Sequence, residues 1–380
     1  MVVRSSNLLH TVLVLLLAAC GAVENGQHAT GFPDVKARRR AASDVREIAT
    51  SSRDASFTAI DALDVDSKGL IYVPDTYQQR MTVLGPDARV VRSFGRRGSG
   101  PGEFRSIRGV QILDGDSVLA YDPTLGRITV FAPGTDQPAY SVTVGPKLSG
   151  ESPFDLRRTH DNLGYLALFR PEFAFVAGAR FDARRDRVRR LGLDGGPLAE
   201  LLTFPSKAFL VAENSIMPHP FGNEGFARLD SADRLIFVRS DSLGAAFFDL
   251  SGSRLGGFSI PHAAPAVTSD DRDAAVAAIP AQVRGRFTPV LTDSLPDRWP
   301  AVRDVIVDDR NRIWMAIGGS LREPTEWAAF SQDGAYLGSM LVPSGSDVRL
   351  IRGNGRVYAS RSDEDDVPHV VIYQMARPLR

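Results

Sequence analysis

The chain has 380 residues, 43% of them hydrophobic, and balances 45 Lys plus Arg against 45 Asp plus Glu. That is enough apolar chain for a sizeable core, while zero net charge supplies no field to recruit nucleic acid or an anionic surface. The single cysteine excludes any disulfide within the chain, so stability rests on burial.

Arg4 opens the chain with a positive charge, and Leu8 to Ala19 follow as an apolar run interrupted only by His10 and Thr11. The run falls short of the about 20 residues a spanning helix needs and matches the apolar region of a secretory signal, typically about 7–15 residues. Leu17-Ala18-Ala19-Cys20 resembles the lipobox of bacterial lipoproteins. The resemblance implies removal of residues 1–19, diacylation of the Cys20 sulfur and attachment to a lipid bilayer; an ordinary cleaved signal and an uncleaved anchor are the alternatives. One acyl chain holds a protein marginally and two or more hold it firmly. Gly21 stands where an aspartate often marks inner-membrane retention in such lipoproteins, so the expected location is the outer membrane, facing the periplasm.

Residues 20–44 are rich in Gly, Asn, Gln and charge, without apolar periodicity, and read as a flexible tether. Its basic run Lys36-Ala37-Arg38-Arg39-Arg40 reads as solvated linker, with contact to lipid headgroups as the alternative. The folded domain is expected over residues 45–380.

From Val45 onward short β-rich segments alternate with Gly, Asp, Asn and Pro, the pattern of an all-β fold. The displacement that lays Ile60 on Ile107 also lays Asp75 on Asp122, Arg80 on Arg127 and Val83 on Val130. Each copy reads as four strands, and a four-stranded unit returning every about 40–50 residues signals a propeller blade. Looser copies cover residues 154–193, 226–260, 302–342 and 348–375, which gives six blades of four antiparallel strands. A seventh would need residues 197–220. Val45–Ala49 is free to add an outer strand beside the C-terminal one and close the ring.

Gly69-Leu-Ile-Tyr-Val-Pro-Asp75, continuing to Arg80-Met-Thr-Val-Leu, and then Arg92-Ser-Phe-Gly95 and Gly98-Ser-Gly-Pro-Gly-Glu-Phe104, resemble an NHL repeat and its linker. The resemblance is specific over about residues 57–131. It implies a six-bladed scaffold for interaction or ligand binding, some relatives being lactonases or lyases, and names fold better than activity.

The Asp-x₄-Arg pairs, Asp75 with Arg80 and Asp122 with Arg127, straddle hairpin turns and are read as structural staples, through charge pairing or turn amides. The glycines at 98, 100 and 102 precede no clear helix, so phosphate binding is rejected. The histidines beyond the signal are scattered, and neither a paired-histidine metal motif nor a Gly-x-Ser-x-Gly elbow occurs. Glu213, Asn214, His219, Asn223 and Glu224 crowd the connection between the third and fourth units. They are candidate ligands for Ca²⁺ or an acid/base pair, against the plainer reading of a solvated loop stiffened by Pro218 and Pro220.

In the insertion 261–300, Thr268 and Ser269 cap a short helix whose first turn is acidic and which Pro280 ends or bends. This helix is expected to plug one end of the propeller, or to act as a lid or docking element. Trp299 and Trp314 are expected to pack inside blades, with Trp327 more exposed. The functional reading is a non-catalytic monomeric propeller that binds a protein, peptide or small ligand through its loop face, with a metal-assisted hydrolase or lyase at the central channel as the alternative.

Overall fold

The computed structural model describes residues 27–28, 32–51, 55–172, 184–213 and 215–379; Cys20, the signal segment and Asn214 lie outside them. Three antiparallel four-stranded sheets come first: Asp64–Val65, Ile71–Asp75, Arg80–Leu84 and Val90–Phe94; then Gly109–Ile112, Val118–Asp122, Arg127–Phe131 and Pro138–Thr143; then Asp155–Arg158, Gly164–Phe169, Arg185–Gly192 and Pro197–Pro205. A fourth joins Gly225–Leu229, Leu235–Arg239, Leu243–Phe248 and Arg254–Ile260, with Gln27–His28 paired parallel to its last strand. The remaining strands form one eight-stranded sheet.

That eight-stranded sheet replaces two of the six separate blades expected. Val302–Val307, Ile313–Ile317, Thr325–Phe330 and Tyr336–Val342 make its first half, and Ser346–Ile351, Arg356–Ser362, Pro368–Met375 and Ser43–Thr50 its second. Ser43–Thr50 pairs antiparallel with Pro368–Met375, while its first two residues, Ser43 and Asp44, pair parallel with Met340 and Leu341. A single strand thus bonds on both edges and stitches the halves together.

Ile71–Asp75 and Val118–Asp122 are buried at every position, because each lies inside a sheet that packs neighbours on both faces. Val90–Phe94 is largely exposed, as an outer strand should be. Tyr72, Met81, Val83 and Phe94 meet Val110, Val118, Ala120 and Phe131 between the first two sheets. Similar apolar clusters follow between later sheets. Another packs Tyr358, Val370 and Ile372 on Ile71, Val73 and Leu84, so the packing returns to the first sheet. Burying one such aliphatic side chain fully contributes about 1.5–3 kcal/mol. The result is a propeller-like arrangement of small antiparallel sheets.

Short polar motifs fix the turns between first and second strands. Asp66, Asp230 and Asp308 each accept the N–H groups two and four residues ahead. At the tips, Asp116, Asp233 and Asn311 adopt φ of 62°, 58° and 59° and accept from Ser67, from His160 and Asp161, and from Ser231 of the preceding sheet. Asp and Asn tolerate this left-handed conformation better than other non-glycine residues.

Two connections depart from the expected plan. The third sheet runs on to Pro205, and Phe209–Ala212 pairs with Ser215–Pro218 in a separate hairpin, so residues 197–220 supply no further blade. Of the segment expected to be a free tether, the described residues 27–28 and 34–44 are paired in strands or helical and capped. Asp34 caps helix α1 (Val35–Ala41) through the N–H groups of Lys36 and Ala37. Arg38, one of the basic run read as solvated, is buried and grips both oxygens of buried Glu326, at 2.8 and 3.3 Å. Its guanidinium also lies 4.0 Å from the centre of the Phe32 ring, which packs on Phe330 and Tyr336.

Candidate ligand mouth at the capped end

The first strands of the first three sheets neighbour one another in turn, as do those of the fourth sheet and the two halves of the eight-stranded sheet. The residues that open these strands, among them Arg108, Phe154, Glu224, Arg303 and Asp347, define the candidate mouth. The two long connections, 206–224 and 261–301, deliver the chain to the starts of two of these strands and pack against each other. Thr268 caps helix α2 (Ser269–Ala278) in a reciprocal box with Asp271, and Pro280 precedes helix α3 (Ala281–Asp293). Leu210, Ala212 and Phe221 of the first connection form one apolar cluster with Ala275, Ile279, Phe287, Leu291 and Trp299 of the second. The helix expected at 270–280 is thus one of two, and together with the hairpin they build a cap.

Beneath the cap the polar groups are mostly paired. Arg108 and Arg170 place their guanidinium carbons 4.3 and 4.4 Å from the centre of the Phe154 ring, one carbon per arginine. Arg170 also donates to both oxygens of buried Asp186. Arg228 reaches Asp304 at 3.1 Å. Burial pushes the Glu224 carboxyl above its usual range; Lys207, 3.4 Å away, works against that shift and the Asp304 charge adds to it. Arg303 differs. It makes no hydrogen bond or ion pair among the described residues, and it lines an open pocket of about 460 Å³ between α2, the 321–325 segment and the 344–347 turn.

The candidates in the 213–224 connection do not converge. Glu213, at the hairpin tip with φ 53°, is exposed and lies 3.6 Å from Arg286. His219 is buried, accepts from the Phe221 N–H at Nδ1 and places Nε2 3.3 Å from the Ser294 carbonyl. Asn223 bonds the Ser240 hydroxyl, and Glu224 faces Lys207 under the cap. Asn214 lies outside the described residues. Among the described residues no group of three or more His, Cys, Asp or Glu side chains is arranged to hold a metal. Of the set, Glu224 alone opens an inner strand at the mouth.

Asp75 and Asp122 satisfy amides and do not pair with their arginines. Asp75 accepts from Thr58, Tyr77 and Gln78, and Asp122 from Arg105, Ser106 and Leu125. Arg80 is exposed, whereas Arg127 donates to the carbonyls of Ser99, Gly100 and Glu103 and pins the glycine-rich linker. Trp299 and Trp314 are buried as expected; Trp327 is buried too, at 3% exposure, contrary to expectation, because it lies in the middle of the eight-stranded sheet. Arg303 was missed by sequence reasoning. Its one signal is the charged pair Arg303-Asp304 interrupting an apolar strand.

No family model and no curated protein matches the sequence. Among solved structures, a member of the DUF4221 family from Bacteroides vulgatus is similar with a TM-score of 0.50 at 9% identity, over 87% of this chain and 98% of that one. A protein of Bacteroides fragilis described as exported gives 0.48 at 9% identity, over 92% and 99%. Virginiamycin B lyase of Staphylococcus aureus gives 0.41 at 11% identity, over 88% and 89%. At these identities likeness bears on fold alone.

Proposed function

We propose that this chain is an exported, lipid-anchored propeller that binds a small ligand or peptide at its capped end without transforming it. The observation behind this reading is an open pocket at that end, lined by a guanidinium that bonds no acceptor among the described residues, in a mouth where the neighbouring charges are paired. In this reading each half of the eight-stranded sheet counts as one blade, which makes six, and Ser43–Thr50 closes the ring. The register shared by Asp75 and Asp122 supports an NHL-type relationship for residues 57–131.

Acylated Cys20 would hold the molecule to the outer membrane. From Cys20 to the strand residue Gln27 the chain reaches at most about 25 Å. The outer edge of the fourth sheet would then sit close to the lipid, not at the end of a long tether. Replacing Cys20 with Ser is expected to release the protein from the membrane fraction; retention there would refute the anchor.

Hydrogen exchange tests the binding. Envelope extract added to the purified protein should protect peptides covering 209–224, 269–303 and 321–325. Protection confined to the outer strands 90–94 and 138–143 would overturn the reading. Recovery of the retained compound in chemically altered form would replace it with the hydrolase or lyase alternative.

A further inference from the structure

We propose that the pocket under α2 is a carboxylate-binding subsite, with Arg303 as its fork and the alanine face of α2 as the wall for a short apolar tail. The inference rests on the capped-end binding reading and gives its ligand a chemical class.

A guanidinium has five N–H donors in a rigid plane and stays charged, so Arg303, half-buried and bonded to no acceptor among the described residues, has its fork free for an anion. Both nearby acids are committed or distant. Asp304 accepts from Arg228 and from the Val305 N–H, and Asp347 is mostly exposed and 3.6 Å from Arg349. Trp299 holds Arg303 from one side, its ring centre 5.4 Å from the guanidinium carbon. Burial lowers the Arg303 pKa, and the charges of Asp347 and Asp304 oppose this.

Arg322 lines the same pocket, and its guanidinium is likewise in no ion pair among the described residues. The two arginines face one pocket acid, Asp347, which is itself 3.6 Å from Arg349, so the pocket is net positive and suits an anion. A carboxylate is an anion that matches the planar fork, which binds it through two parallel hydrogen bonds.

Ala274, Ala277 and Ala278 occupy one side of α2 at spacings of three and four and, with Leu321, offer a wall of small apolar groups. The volume of about 460 Å³ falls within the roughly 300–1,000 Å³ of small-ligand sites.

Calorimetric titration of the full processed protein with hexanoate, hexyl phosphate and hexanol tests the assignment. Hexanoate is expected to bind one to one, hexyl phosphate at least tenfold more weakly, and hexanol not measurably. Arg303→Gln should weaken hexanoate at least tenfold while leaving the melting temperature unchanged or higher, since it removes an unbonded charge. Ala277→Trp, at an exposed helix position facing the pocket, should also abolish binding, and it carries the test if Arg303→Gln fails to fold. Equal binding of hexanol, tighter binding of hexyl phosphate, or hexanoate binding unaffected by both substitutions would each overturn the proposal. Failure of hexanoate to bind at all would remove the subsite, while cap protection by envelope extract would still uphold the capped-end reading.

Discussion

Asp75 and Asp122 occupy equivalent places in two successive sheets, and each gathers backbone N–H groups from its own turn and from the segment entering the sheet. Asp75→Ala would leave three amides without their acceptor at a side chain only 1% exposed. A loss of about 2–3 kcal/mol is expected in urea unfolding. Arg80→Ala, at an exposed and unbonded position, should stay within about 0.5 kcal/mol. Equal losses would mean that the two residues act as an ion pair after all. The sequence repeat located these aspartates because the same turn chemistry recurs at the same displacement. It could not separate the two arginines. Arg127 bonds carbonyls in a linker 24 to 28 residues away, and among the described residues nothing comparable meets Arg80.

At the level of elements, the cap joins a hairpin to two helices that are distant in sequence. Thr268, the acidic first turn and Pro280 announced α2 through its cap and its stop, and the reciprocal bond from Asp271 completes the cap. α3 was hidden by Gly285 and Pro289, both poor helix formers, and is held by burial of Phe287 and Leu291. His219 links the hairpin to the end of α3. Since Nδ1 accepts from the Phe221 N–H, Nε2 carries the proton that faces Ser294. Burial lowers the folded pKa of His219 below its usual value. The stability held by the neutral ring is therefore complete above an unfolded pKa of about 6.5 and is lost as pH falls through the folded value. Exchange in peptides 209–224 and 281–294 should be faster at pH 5 than at pH 7.5, after correction for intrinsic rates, and His219→Gln should flatten the difference. An unchanged pH dependence in that variant would assign the effect to another group.

Across the whole molecule, described N-terminal residues pair with two different sheets, Gln27–His28 with the outer strand of the fourth and Ser43–Thr50 within the eight-stranded one. Composition made residues 20–44 look like solvated linker, because a run of arginines gives no hint that one of them meets a glutamate 288 residues ahead. The β-rich pattern and its turns were legible in the sequence; the pairing that fuses two units was not, since it depends on two residues at one strand end. Arg38→Ala would strand the Glu326 carboxylate in the interior, and a loss of about 3–5 kcal/mol is expected by urea unfolding. The double variant Arg38→Met, Glu326→Leu should recover most of it. If the double variant is as unstable as the single one, packing of the arginine stem and not the ion pair holds the segment.

The pairing of Ser43–Thr50 with Pro368–Met375 also imposes an order of events. Ser43–Thr50 finds its antiparallel partner only when the distant Pro368–Met375 is present to fold, so until then that edge of the strand stays open. Contacts so remote in sequence make assembly slow and leave an open sheet edge in every unfinished chain. A product lacking Pro368–Met375 would expose that edge permanently, and aggregation rather than a loosened native state is the expected outcome.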